Sequence, residues 1–281
     1  MISDTIEGII LRRSARGMSE LSRYMPAGFC AEAARAILGW RKGGTVIIAT
    51  GFYVTGHAET DGPPGTIALS RALGRLGFNV IIVTDAQWRG LFESEGLSAR
   101  YFEPNTGRSE FDALLNELQP VGLISVERCG RTRDWRHLNM RGVSIDAHNA
   151  PIDILFDIAA CHIPTIGIGD GGNEIGMGCV ADEIQCISGI EPCAVCVDHL
   201  VIATVSNWGA YGLCAYLGCM RSLALVPEFG EMRDIIARMV ECGCVDGVSK
   251  LPSMSVDGFD MDVEREILDA LAEAARRDCK H

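Results

Sequence analysis

Short continuous apolar runs recur along the chain, separated by longer stretches in which apolar positions return every three or four residues. The runs Thr45–Thr50, Phe78–Thr84, Val121–Val126, Pro164–Ile168 and His199–Val205, with a shorter one at Arg100–Phe102, predict strands. Strands that are apolar on both faces belong inside a parallel sheet covered by helices. The periodic stretches predict helices over residues 5–23, Ala31–Trp40, Thr66–Leu76, Gln87–Glu95, Glu110–Leu118, Ile152–Cys161, Gly209–Leu223, Glu231–Cys242 and Val263–Arg277. Strand and helix alternate, so the expected fold is α/β: a mostly parallel central sheet flanked by helices in a Rossmann-like layered architecture. No internal repeat or linker interrupts the pattern, and one domain over residues 1–281 is expected.

Open parallel sheets bind ligands beyond the carboxyl ends of their strands. The segments that follow the predicted strands therefore carry the functional information. They are Gly51–Thr66, Glu127-Arg-Cys-Gly-Arg131, Gly169-Asp-Gly-Gly-Asn-Glu-Ile-Gly-Met-Gly178 and Ser206-Asn-Trp-Gly-Ala210. All are polar or glycine-rich, and all are expected at one edge of the sheet.

Composition narrows the ligand. Lys and Arg number 25 against 37 Asp and Glu, a formal net charge of −12 over 281 residues. Nucleic-acid binding draws on Lys and Arg that displace counterions from phosphate, and adhesion to anionic lipid needs the same charges, so neither nucleic acid nor membrane is an expected partner. No apolar run reaches the roughly 18–20 residues that span a bilayer. Acids precede the first apolar stretch and no small-residue cleavage site follows it, so a cytoplasmic location is expected. Twelve cysteines in a reducing compartment read as free thiols.

Three familiar patterns fail on their chemistry. Gly51–Gly56 has phosphate-loop spacing, but His57-Ala58 stands where a lysine and a hydroxyl are needed. Gly167-Ile-Gly169-Asp-Gly-Gly172 has dinucleotide-loop spacing, yet Asn-Glu-Ile-Gly-Met-Gly is a poor helix start and Asp170 would repel a diphosphate. No nucleotide cofactor is expected. His57-Ala-Glu59 with Pro192-Cys193-Ala-Val-Cys196 imitates a zinc-deaminase signature, but Thr60-Asp-Gly-Pro-Pro-Gly65 cannot continue the required helix. Cys193 and Cys196 are then either buried thiols or half of a zinc site completed by His199 or by Cys242 and Cys244.

Read together, Gly169–Gly178 and Ser206-Asn-Trp-Gly-Ala-Tyr211 carry a further signal, supported by the Gly51 loop, Glu127–Arg131 and Val256-Asp-Gly258. On these motifs the chain resembles the D-glutamate cyclase family, with Cys129 standing where proline is expected. The resemblance implies a hydro-lyase that cyclises D-glutamate to 5-oxo-D-proline and water through attack of the amine on the γ-carboxyl group. Such a reaction needs a neutral amine, an electrophilic γ-carboxyl group and a held α-carboxylate. Intramolecular attack already supplies proximity, so the protein's main task is electrostatic.

Under this resemblance Glu174 is the principal acid/base residue, with Asp170 and Glu127 as further catalytic carboxyls. Asp170 and Glu174 are candidate ligands for a divalent cation, Mn or Mg, and Arg128 or Arg131 a clamp for a carboxylate. Gly51, Thr60, Asp61, Gly65, Thr66, Gly171, Gly172, Asn173, Ser206 and Asn207 would complete a pocket for D-glutamate or a related amino dicarboxylate, in a chain that could also form a homo-oligomer. A nucleotide- or phosphate-using enzyme and a non-catalytic small-metabolite-binding protein are the alternatives. Whichever holds, a chain of net charge −12 that binds a dianion needs local positive charge from glycine-loop N–H groups, Arg128, Arg131 or a bound cation.

Overall fold

The apolar runs become six parallel strands, seen in a computed structural model that describes residues 5–14 and 16–278. In chain order the elements are α1 (Ile6–Ile10), α2 (Met18–Leu21), α3 (Phe29–Gly39), β1 (Thr45–Gly51), the hairpin β2 (Tyr53–Val54) and β3 (His57–Ala58), α4 (Pro63–Arg75), β4 (Asn79–Asp85), β5 (Ser98–Phe102), α5 (Arg108–Leu118), β6 (Gly122–Arg128), α6 (Ile154–Ala159), β7 (Thr165–Gly169), α7 (Ala181–Ser188), β8 (His199–Ile202), α8 (Ser206–Arg221), α9 (Phe229–Glu241), the hairpin β9 (Ser255–Val256) and β10 (Phe259–Asp260), and α10 (Met261–Asp278).

The main sheet has the order β5-β4-β1-β6-β7-β8, with every neighbouring pair parallel. The chain begins at the centre, runs outward to β5, and returns to the other side of β1 as β6. This is the doubly wound α/β arrangement expected from the sequence. Its reversal of direction lies between β1 and β6, where such sheets open a crevice. β6 and β7 are buried throughout and β1 nearly so, which is why these strands read as unbroken apolar runs rather than alternating ones.

Two helices frame the crevice. α4 starts at Pro63, ahead of the expected Thr66, because Pro63 and Pro64 fill first-turn positions where the missing N–H has no helical partner to lose. α8 packs on α4, α3 and α10. At its contact with α4, a Cβ on Gly65 would meet Ala210 and Asn207 at 2.9 Å, so the two helices touch backbone to backbone.

Local breaks depart from the periodic reading. Residues 5–23 do not form one helix: α1 stops at Ile10, a loop intervenes, and α2 starts after Gly17, which has φ of 83°. Ala15, within the expected helix, lies outside the described residues, as does Cys279. Gln87–Glu95 is likewise not a helix but two 3₁₀ turns, Ala86–Trp88 and Glu93–Glu95, with Gly90 at φ 99° between them. The apolar period misses α7, which buries Ile184 alone. No helix among the described residues is long and apolar enough to cross a membrane.

Candidate active site

At the carboxyl edge of the sheet, on both sides of the β1/β6 crevice, six carboxyl groups converge among the described residues. Glu59 and Asp61 come from the loop between β1 and α4, Glu127 from the end of β6, Asp170 and Glu174 from the turn after β7, and Asp257 from the tip of the β9–β10 hairpin. All are buried. The cation that faces them is Arg16, on the loop between α1 and α2, with Nη1 at 2.6 Å from Asp170 and Nη2 at 2.6 Å from Asp257.

Local backbone geometry aims these groups. Glu127 adopts φ 47°, an unusual left-handed conformation for a residue with a Cβ, at the point where β6 leaves the sheet. Its Oε2 accepts a hydrogen bond from the Ser206 hydroxyl at 2.6 Å. Asp257 and Gly258 both have positive φ (53° and 79°), so an Asp-Gly two-residue turn closes the β9–β10 hairpin and points the Asp257 carboxyl at Arg16.

Asp61 accepts from the backbone N–H of Gly62, Ser206 and Asn207, each at 2.8 Å. In return, the Asn207 side-chain oxygen accepts from the N–H of Gly62 and Gly65, at 3.0 and 2.7 Å. Each residue satisfies buried N–H groups that lack a helical partner at the start of the other's helix, which locks α4 and α8 together beneath the site.

Glu174 is held by its own turn: Oε1 accepts from Gly171 N–H at 3.0 Å and Oε2 from Gly172 N–H at 2.8 Å. The Glu59 carboxyl lies against Gly247, where a Cβ would collide with it. Substitution at Gly247 would therefore push Glu59 out of place.

Burial under shared negative charge keeps protons on this cluster. Burial, reinforced by Asp257, pushes Asp61 up to about 7 against the N–H donors of Asn207 and Ser206. Asp170 is pushed up to about 8 by burial, with Arg16 opposing the rise. Burial and then Asp170 hold Glu127 well above the carboxylate range; burial and then Asp257 do the same to Glu59, and burial and then Asp170 to Asp257. Glu174 rises through burial while the Gly172 N–H holds it back. Burial opposes the charge on Arg16, but Asp170 and Asp257 outweigh it and raise its pKa.

Asp61, Glu127 and Asp170 each offer an oxygen, all within 4.8 Å of one another, so this triad could hold a metal ion. The donor set fits: three carboxylates are hard oxygen ligands of the kind Mg²⁺ and Mn²⁺ take. Asp170 Oδ2 is also buried with no hydrogen-bond partner, a position a cation would satisfy. The anticipated pair, Asp170 with Glu174, is replaced in this grouping by Asp170 with Asp61 and Glu127. The suggested zinc sites do not assemble among the described residues. Cys193 is buried where a Cβ on Gly130 would strike its sulfur, and the eleven described cysteines are free thiols.

Over the cluster lies a cavity of ≈ 580 Å³, lined by Arg16, Glu59, Glu127, Asn173 and Glu174 at its acidic end. Asn173 donates to the Leu138 carbonyl at 2.8 Å and leaves its own oxygen without a partner.

Other anticipated residues serve the scaffold. Arg128 is not free to clamp a substrate: fully buried, it pairs with Asp85 and donates to the carbonyls of Gly51 (3.0 Å) and Ala150 (2.6 Å). Arg131 pairs with Asp153 and Asp157, both at 2.7 Å, and its guanidinium lies 4.3 Å from the centre of the Trp135 ring. Gly51 faces Thr84 and Trp88 rather than the acids. Thr60 donates to the Ser255 carbonyl at 2.8 Å, tying the first loop to the β9–β10 hairpin. Thr66 is buried within α4, and the N–H groups of Gly171 and Gly172 serve Glu174 rather than a bound anion.

Three site residues went unanticipated as such: Arg16, Glu59 and Asp257. The signals were present in Gly17, which breaks the first helix, and in Asp257-Gly258, a hairpin-turn pair.

The family described as D-glutamate cyclase-like, C-terminal matches residues 6–272. A human protein, D-glutamate cyclase, mitochondrial, is 32% identical over 213 residues, covering 66% of this chain and 34% of the relative. The match thus spans about a third of that relative's length.

Proposed function

Because the chain belongs to the D-glutamate cyclase-like family, we propose that it is a lyase that closes D-glutamate into 5-oxo-D-proline with loss of water. The observation that carries this reading is the cluster of proton-holding carboxyls around Arg16, under a cavity at the sheet's reversal point. Forming a lactam from an ammonium and a carboxylate moves two protons from nitrogen to the departing oxygen. Buried carboxyls with raised pKa exchange protons near neutrality, which suits that traffic.

Glu174 is the base in this account, since two backbone N–H bonds fix its carboxylate at the cavity wall and one lone pair on each oxygen stays available for the substrate ammonium. Glu59, which burial keeps protonated, delivers a proton to the oxygen that leaves as water. Arg16 anchors the α-carboxylate, the role the sequence suggested for Arg128 or Arg131. Asp61, Glu127 and Asp170 would hold a divalent cation, which when bound polarises the γ-carboxyl group as a Lewis acid.

A phosphate-binding reading finds no support at the same edge. Asp61 already takes the N–H groups of Gly62, Ser206 and Asn207 at the helix starts, where a phosphate would bind. Incubation with D- and L-glutamate, with and without Mn²⁺ or Mg²⁺, followed by chiral detection of 5-oxoproline, tests the proposal. Product from D-glutamate is expected; no product under any of these conditions contradicts it.

A further inference from the structure

The cavity is larger than the molecule just assigned to it. Glutamate has roughly ten non-hydrogen atoms, and even at the ~30 Å³ that a water molecule occupies in the liquid these fill about half of the ≈ 580 Å³. The remaining wall has a different chemistry. Phe52 and Ile145 belong to a small hydrophobic cluster separate from the main core, with Tyr53 packed against it. Val143 and Val248 stand at the rim, 57% and 55% exposed. The Tyr53 ring stacks on His148, with centroids 4.2 Å apart and planes inclined by 6°, and both residues line the cavity. Arg141 and Lys250 line the same wall and pair with no carboxylate among the described residues.

Charge points the same way. Free glutamate brings its γ-carboxylate to a cavity floor where Glu59, Glu127 and Glu174 face it beside the Arg16 guanidinium. An amide at the γ position is uncharged and avoids burying a further negative charge beside them. It is also a better electrophile than a carboxylate, because no resonance-stabilised negative charge resists the incoming amine.

We propose that the site takes γ-glutamyl amides, in which the amine half carries an apolar group and a carboxylate. The apolar group lies against Phe52, Ile145 and the Tyr53–His148 pair, and its carboxylate meets Arg141 and Lys250. The inference rests on the cyclase reading of the acidic floor and changes what leaves. The α-amine nitrogen bonds to the γ-carbonyl carbon, the bond from that carbon to the amide nitrogen breaks, and the proton lost by the attacking nitrogen ends on the departing amine. The products are 5-oxoproline and a free amine, with no water released and no change of oxidation state.

The test incubates the full chain, with and without Mn²⁺, with the D and L epimers of γ-glutamyl-phenylalanine and with D-glutamate. Both 5-oxoproline and free phenylalanine are quantified. Burial of a phenylalanine-sized group predicts kcat/KM at least about tenfold above that for D-glutamate. The double variant Arg141→Ala/Lys250→Ala, confined to the cavity rim, is expected to erase the preference for γ-glutamyl-phenylalanine over γ-glutamyl-phenethylamine, which lacks the carboxylate. Cyclisation of D-glutamate with equal, slower or absent phenylalanine release overturns the inference and leaves the cyclase reading standing. Phenylalanine release without glutamate turnover supports the inference and overturns the water-loss reading, while no product from any substrate overturns both. A preference that survives the double variant removes Arg141 and Lys250 from the proposal.

Discussion

Two arginines near the sheet edge do opposite work, and removing each should show it. Arg128 is buried with Asp85, whose Oδ1 also accepts from Ala150 N–H at 2.6 Å. Arg128→Ala strands a buried carboxylate and is expected to lower stability by about 3–5 kcal/mol in urea unfolding. Arg16 faces acids that already hold protons and can take up more when it is gone. Arg16→Ala is therefore expected to shift Tm little while lowering kcat/KM for D-glutamate about a hundredfold, the loss of a charged contact to the substrate carboxylate. A large Tm drop in Arg16→Ala with unchanged turnover would reverse the two assignments.

The interlocked helix starts define the scaffold at the scale of elements. Asn207→Ala leaves the buried Gly65 N–H without its acceptor, while Gly62 N–H keeps Asp61, and is expected to cost about 2–3 kcal/mol by thermal or urea unfolding, a lost cap plus an unpaired donor. An effect under about 0.5 kcal/mol, typical of an uncommitted surface residue, would show that Asn207 holds nothing together. Elements of this kind were partly legible in the sequence. The buried strands were, because full burial on both faces leaves unbroken apolar runs, and so were Asp61, Glu127, Asp170 and Glu174, because they follow strands in a parallel sheet.

Arg128 was not legible in the same way. An arginine at a strand end can point at a ligand or at a buried partner, and only the registers of β6 beside β1 and of β1 beside β4 bring Asp85 to it. Arg16 was hidden by the α1 period of Ile6, Ile9 and Ile10, which reads on as a helix until the break before Gly17 is seen. Asp257 depended on a hairpin too short to register as strands.

Acid clusters of this kind set the pH response of the whole molecule. Asp61 (about 7) and Asp170 (about 8) lie above the roughly 3.9 of an unfolded aspartate, so the folded state binds more protons between those limits and stability falls as pH rises through them. His137 adds to the same trend. Burial opposes its charge, but Asp153 and Asp146 outweigh it and raise its pKa, so its contribution is full below about 6.5 and is lost as pH climbs through the raised value.

Asp153 and Asp146 act at the other end. Their lowered values stabilise the fold above about 3.9, a contribution lost as pH falls through them. Tm should therefore decline from about pH 6 to about pH 9, and Mn²⁺ should raise Tm more at the upper end, where the carboxylates are free to bind it. A Tm that rises across that range would contradict the placement of protons in the cluster.

Conversion of D-glutamate to 5-oxo-D-proline, followed by chiral chromatography for the wild-type chain and Glu174→Gln in the presence of Mn²⁺, tests the central claim most directly. Product from the wild type is expected, with a rate at least about a hundredfold lower in the variant, as for loss of a general base, and the variant still folded by circular dichroism. Undiminished product from folded Glu174→Gln, or none from the wild type, would contradict it.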